Sequence, residues 1–479
     1  MRILITAFLF TALATAQSVT ASFDGVKGNG TGTPQGPNAS MSVSGTQILE
    51  VTAQTLGFFD YSGNQIKAQV DFLTFLGSVS PTITCTSRLD PRSIYDSFIS
   101  RWIIVQSCNT GDWLIVSSGS DLTTATWKGV KLNFTTGDLT MRPCSDANGV
   151  YISEYDNIGS PLTYAWFAIP GADLVWSGAG SPSLANLQTF TLQGFEAHCM
   201  EDMNASKAAT DPEFFVYGSQ PRGITSNFSW QVKYVTWPSG GVTGACTNGA
   251  GSTRCATVSS AQSLATSYAV SSTTADTGQV SPGNPIKTSE SIQVFFAQQA
   301  GSRGYAIRAS GPCVSNCSSG AANTLDRIIW SEFDLTNKDA VTIRQKGELA
   351  SASTAYIFPT ITSDPSNNVE ITAMCWNTTT PLGVCEWHRK AGDALNTLNG
   401  PNIVQGGTGA YTCLSNNPVT VGKYFNGVQD PSNNANLWIF SQYSASATDC
   451  AWATRIFRMT FAGQTTVPRP PTNLTATVN

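Results

Sequence analysis

Seven bulky aromatic residues stand near the ends of β-rich stretches: Phe75, Trp127, Trp176, Trp230, Trp330, Trp387 and Trp452. Successive members are 52, 49, 54, 100, 57 and 65 residues apart. Short apolar runs lie between them, among them Val70 to Leu76, Trp102 to Gln106, Trp113 to Ser117, Leu187 to Leu192, Ile292 to Phe296, Ala355 to Phe358 and Leu437 to Phe440. Each is bounded by Gly, Pro, Asn, Asp or Ser, which is the signature of strands and turns, and no long amphipathic helical pattern occurs. A unit recurring at this spacing matches the four-stranded blade of a propeller, which runs roughly 40 to 50 residues. The expected fold is therefore all-β, a β-propeller of seven blades. The gap of 100 residues contains Pro238 to Pro285, rich in Gly, Ser, Thr and Ala, and residues 238–285 read as a long loop insertion rather than an eighth blade. A string of β-sandwich domains of ~100 residues each is the competing architecture. Ring closure pairs the N-terminal strand with the last blade, and Gln47 to Phe59 is the expected closing strand.

The ends of the chain differ in character from its body. Arg2, the apolar run Ile3 to Leu13 and the small-residue site Ala14-Thr15-Ala16 have the form of a signal peptide over residues 1–16, so the mature chain is expected to start at Gln17. Residues 17–462 form the expected propeller. Residues 463–479 hold a Pro-rich linker (Pro468, Pro470, Pro471) followed by Asn473-Leu-Thr-Ala-Thr-Val-Asn479, which resembles the isolated first strand of a fibronectin type III domain. Such a strand can add to a neighbouring sheet edge, so self-assembly through this tail is one expected interaction.

Twelve cysteines in an exported chain imply a disulfide framework. Cys375 and Cys385 flank a turn and suit the two arms of one hairpin; Cys246 with Cys255 and Cys313 with Cys317 are similarly close. Cys85 with Cys108, Cys144 with Cys199 and Cys413 with Cys450 follow by elimination. With two histidines, His198 and His388, and no C-x-x-C, a zinc site is not expected, and both histidines read as polar surface or loop residues. Charged residues make up 12% of the chain against 41% hydrophobic, so the surface is rich in hydroxyls and amides. A net charge of −5 argues against nucleic acid or an anionic membrane as partner, and no apolar run is long enough for membrane insertion. Eight N-x-S/T sequons, at Asn29, Asn38, Asn133, Asn204, Asn227, Asn316, Asn377 and Asn473, are near what chance gives in a chain this rich in Asn, Ser and Thr.

Several segments resemble a group of large exported bacterial proteins that carry a seven-bladed propeller ahead of surface modules. Leu89-Asp-Pro-Arg-Ser-Ile-Tyr-Asp96 leading into Ser100-Arg-Trp-Ile-Ile104 is similar to their D-P-R-x-x-Y-D…R-W pattern, and Asp121 to Trp127 to one of their strand ends. Phe358-Pro-Thr-Ile-Thr-Ser-Asp-Pro-Ser-Asn-Asn368 resembles Y-P-S-I-x-x-D-x-x-G-N. Tyr424 to Tyr443 with Trp452-Ala-Thr-Arg-Ile456 resembles the closing blade. The resemblance spans most of residues 36 to 462 and implies the propeller. Its motifs build blades and none is catalytic. Ala39 stands where that family has His after Gly36-Pro-Asn38, and Gly422-Lys423 replaces Arg-Trp-Gly-Asp.

No catalytic chemistry stands out. Glycoside hydrolysis needs two opposed carboxylates, and Asp90, Asp96, Glu196, Glu201, Asp202, Glu213, Glu332 and Glu386 are all available with no spacing that selects a pair. Ser118 to Trp127 only loosely resembles the S-x-D-x-G-x-T-W box of sialidase-like propellers. Asp364-Pro-Ser-Asn-Asn368 and Asp430-Pro-Ser-Asn-Asn434 are identical, and Asp364, Asn368, Asp430 and Asn434 offer hard oxygen atoms to calcium. The same residues suit a tight turn, which is the stronger reading. No G-x-S-x-G elbow and no phosphate-binding loop occurs. The chain thus reads as a secreted or cell-surface, non-catalytic binding or structural protein for adhesion, matrix or extracellular assembly. An extracellular glycan or protein is its partner, with Tyr155, Tyr164, Trp166, Tyr217 and Tyr424 as contact candidates. A carbohydrate-active hydrolase of sialidase or glycosidase type, with a carboxylate pair in the propeller funnel, is the alternative.

Overall fold

The computed structural model of the chain describes residues 17–28, 36–86, 90–132, 139–156, 163–193, 197–204, 206–218, 228–248, 254–268, 286, 294–311, 325–412, 420–446 and 450–461. The expected signal peptide, the fibronectin-like tail, Cys313, Cys317, Cys413 and Glu196 lie outside them.

Seven sheets, each built around an antiparallel meander, form a seven-bladed β-propeller, and short parallel strands add to two of them, Cys246–Thr247 to blade 3 and Glu201–Asp202 to blade 5. Blade 1 comprises Ser40–Val43, Gln47–Val51, Thr55–Asp60 and Gln65–Asp71. Blade 2 comprises Arg92–Asp96, Arg101–Cys108, Gly111–Ser117 and Trp127–Leu132, and blade 3 Leu139–Ser145, Gly149–Asp156, Thr163–Pro170 and Gln188–Gln193. Blade 4 is made of Ala197–Cys199, Glu213–Gly218 and Phe228–Thr236, with Thr257–Val258 and Gln262–Tyr268 on its outer side. Blade 5 is Val294–Ala300, Arg303–Ser310, Arg327–Asp334 and Thr342–Leu349; blade 6 is Ala355–Ser363, Val369–Trp376, Gly383–Arg389 and Asn399–Gln405. Blade 7 takes Gly427–Gln429, Asn436–Ser444 and Trp452–Phe461 from the end of the chain and Gln17–Lys27 from its start. The innermost strands touch in sequence order around the axis, and that of blade 7 returns to that of blade 1.

Each blade is sandwiched between two others, so its middle strands are apolar on both faces and read as runs rather than alternations. Trp102-Ile-Ile-Val105 and the whole of Val369–Trp376 are buried. Seven apolar clusters fill the wedges between blades: Ile103, Val105, Val150 and Ile152 between blades 2 and 3, for example, and Val384, Leu437, Ile439 and Phe457 between blades 6 and 7.

Two expectations are corrected. The closing strand is Gln17–Lys27, paired from Gln17↔Phe461 to Lys27↔Ala453, while Gln47 to Phe59 forms the second and third strands of blade 1. Residues 238–285, read as a loop, instead supply strands: Thr257–Val258 and Gln262–Tyr268 pair with Phe228–Thr236, and Cys246–Thr247 adds to the outer edge of blade 3. Short strands rich in Ser and Thr on an outer edge need few bulky apolar residues, which hid them from pattern reading.

The aromatic markers do not occupy one equivalent position. Trp230, Trp330, Trp387 and Trp452 sit on third strands, Trp127 opens a fourth strand, Phe75 lies in the helix Phe72–Ser78, and Trp176 follows the helical turn Gly171–Leu174. They recur because each plugs an interblade wedge, a condition of volume more than of register. The twin Asp-Pro-Ser-Asn-Asn segments do recur equivalently, joining the first and second strands of blades 6 and 7. Asp364 Oδ1 accepts the Asn368 backbone N–H at 3.0 Å, and Asp430 Oδ1 those of Ser432 and Asn433 at 2.9 and 3.3 Å. Asp96 and Asp146 cap the same turn in blades 2 and 3.

Among the described residues, cysteine pairs at bonding distance include Cys85–Cys108, Cys144–Cys199, Cys246–Cys255 and Cys375–Cys385. Disulfides in this number point to an oxidising compartment. No helix among the described residues is long and apolar enough to cross a membrane.

Candidate functional site

The innermost strands line a funnel on the propeller axis, enclosing about 760 Å³ of space open to solvent. Its wall alternates because each strand there has one face to its own blade interface and one to the axis. Ser40 and Ser42 come from blade 1, Arg92 from blade 2, Arg142 from blade 3, His198 from blade 4, and Tyr424 and Asn426 from the approach to blade 7. Glu201 is the one carboxylate among the described residues of the lining.

Two guanidinium groups converge on one ring. The Arg92 guanidinium carbon lies 3.7 Å from the centre of the Tyr424 ring and that of Arg142 5.6 Å away. Tyr424 has φ +70°, a left-handed conformation that a bulky residue adopts only when its surroundings impose it. Those surroundings are visible: the Asn38 carboxamide oxygen accepts the Lys423 N–H at 3.2 Å, and Asn426 bridges Met41, accepting its N–H at 2.8 Å and donating to its C=O at 2.7 Å. On the opposite wall, the Cys144–Cys199 bridge ties the innermost strands of blades 3 and 4, the strands that carry Arg142 and His198.

His198 is 7% exposed, and its Nε2 has no hydrogen-bond partner among the described residues. Burial, reinforced by the positive charges of Arg142 and Arg92, holds its imidazole well below the ordinary histidine range, so it is neutral at physiological pH. The funnel floor is therefore cationic through two arginines and carries a neutral imidazole beside them. Such a surface can hold a carboxylate, sulfate or phosphate by charge-assisted hydrogen bonds.

The carboxylates singled out in the sequence are scattered. Asp90 accepts from Asn38 at 2.7 Å, and Asp96 caps a turn. Asp202 and Glu213 join Asp146 around buried Lys207, whose ammonium lies 3.3, 2.7 and 2.9 Å from them. Burial would lower the lysine's pKa, but the Glu213, Asp146 and Asp202 charges outweigh it and raise it instead. Glu332 is enclosed by Arg303, Arg344 and Arg389. Glu386 faces Glu370 and His388 on blade 6. Among the described carboxylates, Glu201 alone reaches the funnel.

Of the aromatic candidates, Tyr424 lines the funnel. Trp166 stacks on Phe215 at 4.0 Å and Tyr217 is buried in the same wedge; Tyr155 and Tyr164 lie on strands, with side chains outside the described set. Neither histidine is a loop residue: His198 is on Ala197–Cys199 and His388 on Gly383–Arg389, because strand residues that face the axis or a wedge can be polar. Sequence reasoning passed over Arg92 and Arg142. Arg92 stands in Asp90-Pro-Arg92 at the start of the first strand of blade 2, Arg92–Asp96, a place where no local pattern marks it as facing the axis.

No protein-family model and no curated protein matches the chain. Among solved structures it is similar to a hydrazine synthase from Kuenenia stuttgartiensis, at 10% identity and a TM-score of 0.40, covering 86% of this chain and 94% of that one. It is also similar to an α-L-arabinofuranosidase from Fusarium graminearum in complex with an iminosugar inhibitor (12%, 0.36, 91% and 98%). A third is an ulvan lyase of a polysaccharide lyase family (8%, 0.32, 95% and 86%). At identities this low, none of their activities passes to this chain.

Proposed function

We propose that this chain is an extracellular binding protein whose axial funnel takes the acidic group of its ligand, an anionic glycan in the first instance. The observation that carries this reading is the convergence of Arg92 and Arg142, from neighbouring blades, on the Tyr424 ring at the funnel wall. Arginine forks bind planar oxyanions in two-point fashion. Calorimetry with uronate-containing or sulfated oligosaccharides against neutral ones of equal length tests it. Acidic ligands bind and neutral ones do not, and Arg92→Gln or Arg142→Gln weakens binding about tenfold or more, the worth of one charge-assisted hydrogen bond. Equal affinity for neutral and acidic ligands refutes the reading.

A carbohydrate-active enzyme on the same funnel is the second reading, favoured by His198. A neutral imidazole can take a proton, and guanidinium groups neutralising an adjacent carboxylate acidify the carbon next to it. Removal of that proton by His198, formation of a carbon–carbon double bond and departure of the sugar oxygen on the next carbon, which takes up a proton from water to end as a hydroxyl, would cleave an acidic polysaccharide without the carboxylate pair that hydrolysis uses. Ultraviolet absorbance of the unsaturated product, lost in His198→Ala, separates turnover from binding.

A further inference from the structure

The face of blade 6 that turns toward blade 7 carries a constellation the funnel does not use. Glu386 and His388 are two residues apart on Gly383–Arg389, so their side chains leave the same face of the strand. Glu370, on Val369–Trp376, is the direct cross-strand partner of His388. Each of the three offers one ligand atom, and these atoms all lie within 4.8 Å of one another; His388 Nδ1 is 3.3 Å from Glu386 Oε2. Glu370 is fully buried and Glu386 nearly so, while the His388 side chain keeps 18% of its surface exposed at the rim.

Two carboxyl groups are thus packed together away from water, and among the described residues no lysine or arginine pairs with either. Amide donors hold their far sides: Gln17 Nε2 donates to Glu370 Oε2 at 2.7 Å and Asn402 Nδ2 to Glu386 Oε1 at 2.5 Å. The near side is unfilled. Glu370 Oε1 is buried without a hydrogen-bond donor, and so is the hydroxyl of Thr372, two residues along the same face and directly across from Glu386. Two carboxyl groups this close and this buried repel one another unless a proton or a cation lies between them. A dication would instead satisfy both carboxylates at once. One imidazole nitrogen and two carboxylate oxygens form a donor set for zinc and its first-row neighbours rather than for calcium, which takes oxygen alone.

We infer that Glu370, Glu386 and His388 form a binding site for a divalent first-row transition cation, with zinc as the best match, oriented by Gln17 and Asn402 from the strands on either side. Orienting partners of this kind fix the ligand carboxylates in position. Because Gln17 belongs to the ring-closing strand, a loaded site also fastens that strand to blade 6.

The test uses the full chain stripped with a chelator, then titrated with zinc against a chromophoric competitor. Imidazole proton resonances are followed in parallel. With two histidines in the chain, they report separately on His388 and His198. The expected result is one zinc per chain, movement of the His388 signals alone, and a higher melting temperature with zinc. His388→Ala, at a partly exposed position that tolerates truncation, and Glu386→Gln each weaken uptake tenfold or more. Funnel ligand affinity is unchanged in His388→Ala, which keeps this inference separable from the proposed function. No zinc uptake by the stripped chain, or uptake of equal affinity in His388→Ala, overturns it. So does a melting temperature indifferent to zinc, the behaviour of a pair that merely shares a proton.

Discussion

Ring closure rests in part on a single buried carboxyl whose titration should be visible in the stability of the whole molecule. Glu50, on Gln47–Val51 of blade 1, is fully buried and reaches into blade 7, where Oε2 accepts the Val26 N–H at 2.8 Å and Oε1 accepts the Thr454 hydroxyl at 2.7 Å. The closing strand comes this near because Gly25 has no side chain; a Cβ there would sit 2.2 Å from Glu50 Oε2. Burial outweighs the two hydrogen bonds and raises the Glu50 pKa from 4.5 to about 7. Below the lower value the carboxyl is protonated in the folded and unfolded chain alike and costs nothing. Between the two the unfolded chain ionises first, so stability falls with rising pH until the folded-state value is passed and then levels. At about 1.36 kcal/mol per unit, the loss comes to roughly 3 kcal/mol. Glu50→Gln keeps a carbonyl for Val26 and an amide donor for Thr454, and it does not titrate. Urea unfolding of both proteins across this range should show a stability difference that moves in favour of the variant by about 3 kcal/mol from pH ~4.5 to pH ~8. A difference that stays constant across the range would refute the reasoning, because every other titrating group cancels in the comparison.

Lys207→Met leaves Asp146, Asp202 and Glu213 without their shared cation and should destabilise the chain by about 3–5 kcal/mol in the same assay. Arg142→Gln removes one of the charges that oppose protonation of His198, so its NMR titration should shift upward toward the ordinary histidine range; an unmoved curve would assign the whole effect to burial. Replacing Cys144 and Cys199 together by serine should cost about 2–4 kcal/mol and weaken funnel binding, since the bridge positions the strands of Arg142 and His198. Gly25→Val should lower the melting temperature more than Gly77→Val, because a Cβ at Gly77 meets nothing within 4 Å.

The number of blades was legible because large aromatics fill interblade wedges at intervals close to one blade length, and the spacing survives insertions such as the one before Trp330. Blade edges were harder to see. Gln17–Lys27 is a surface strand of mixed composition whose partner lies at the other end of the chain, so neither its pattern nor its neighbours announce its role. The Asp turns were readable in both chemistry and place, since an Asx turn is local. The funnel was not, because its residues come from different blades and share no spacing. The histidines misled for a related reason. Glu386 and His388 are close in sequence, but Glu370 joins them only through a strand register that no motif encodes.

The pairing of Gln17 with Phe461 makes the propeller's last structural event depend on its first segment. Local meanders form each blade from neighbouring residues, whereas the closing pair spans nearly the whole sequence and carries the largest loop-closure entropy in the fold. During synthesis the early strand must wait as an open edge until Trp452–Phe461 exists, exposed to pairing with a second copy of the chain. Assembly should therefore behave as a clasp that is prone to intermolecular exchange while open, and concentration-dependent misfolding should fall when the two strands are fused at one end by circular permutation.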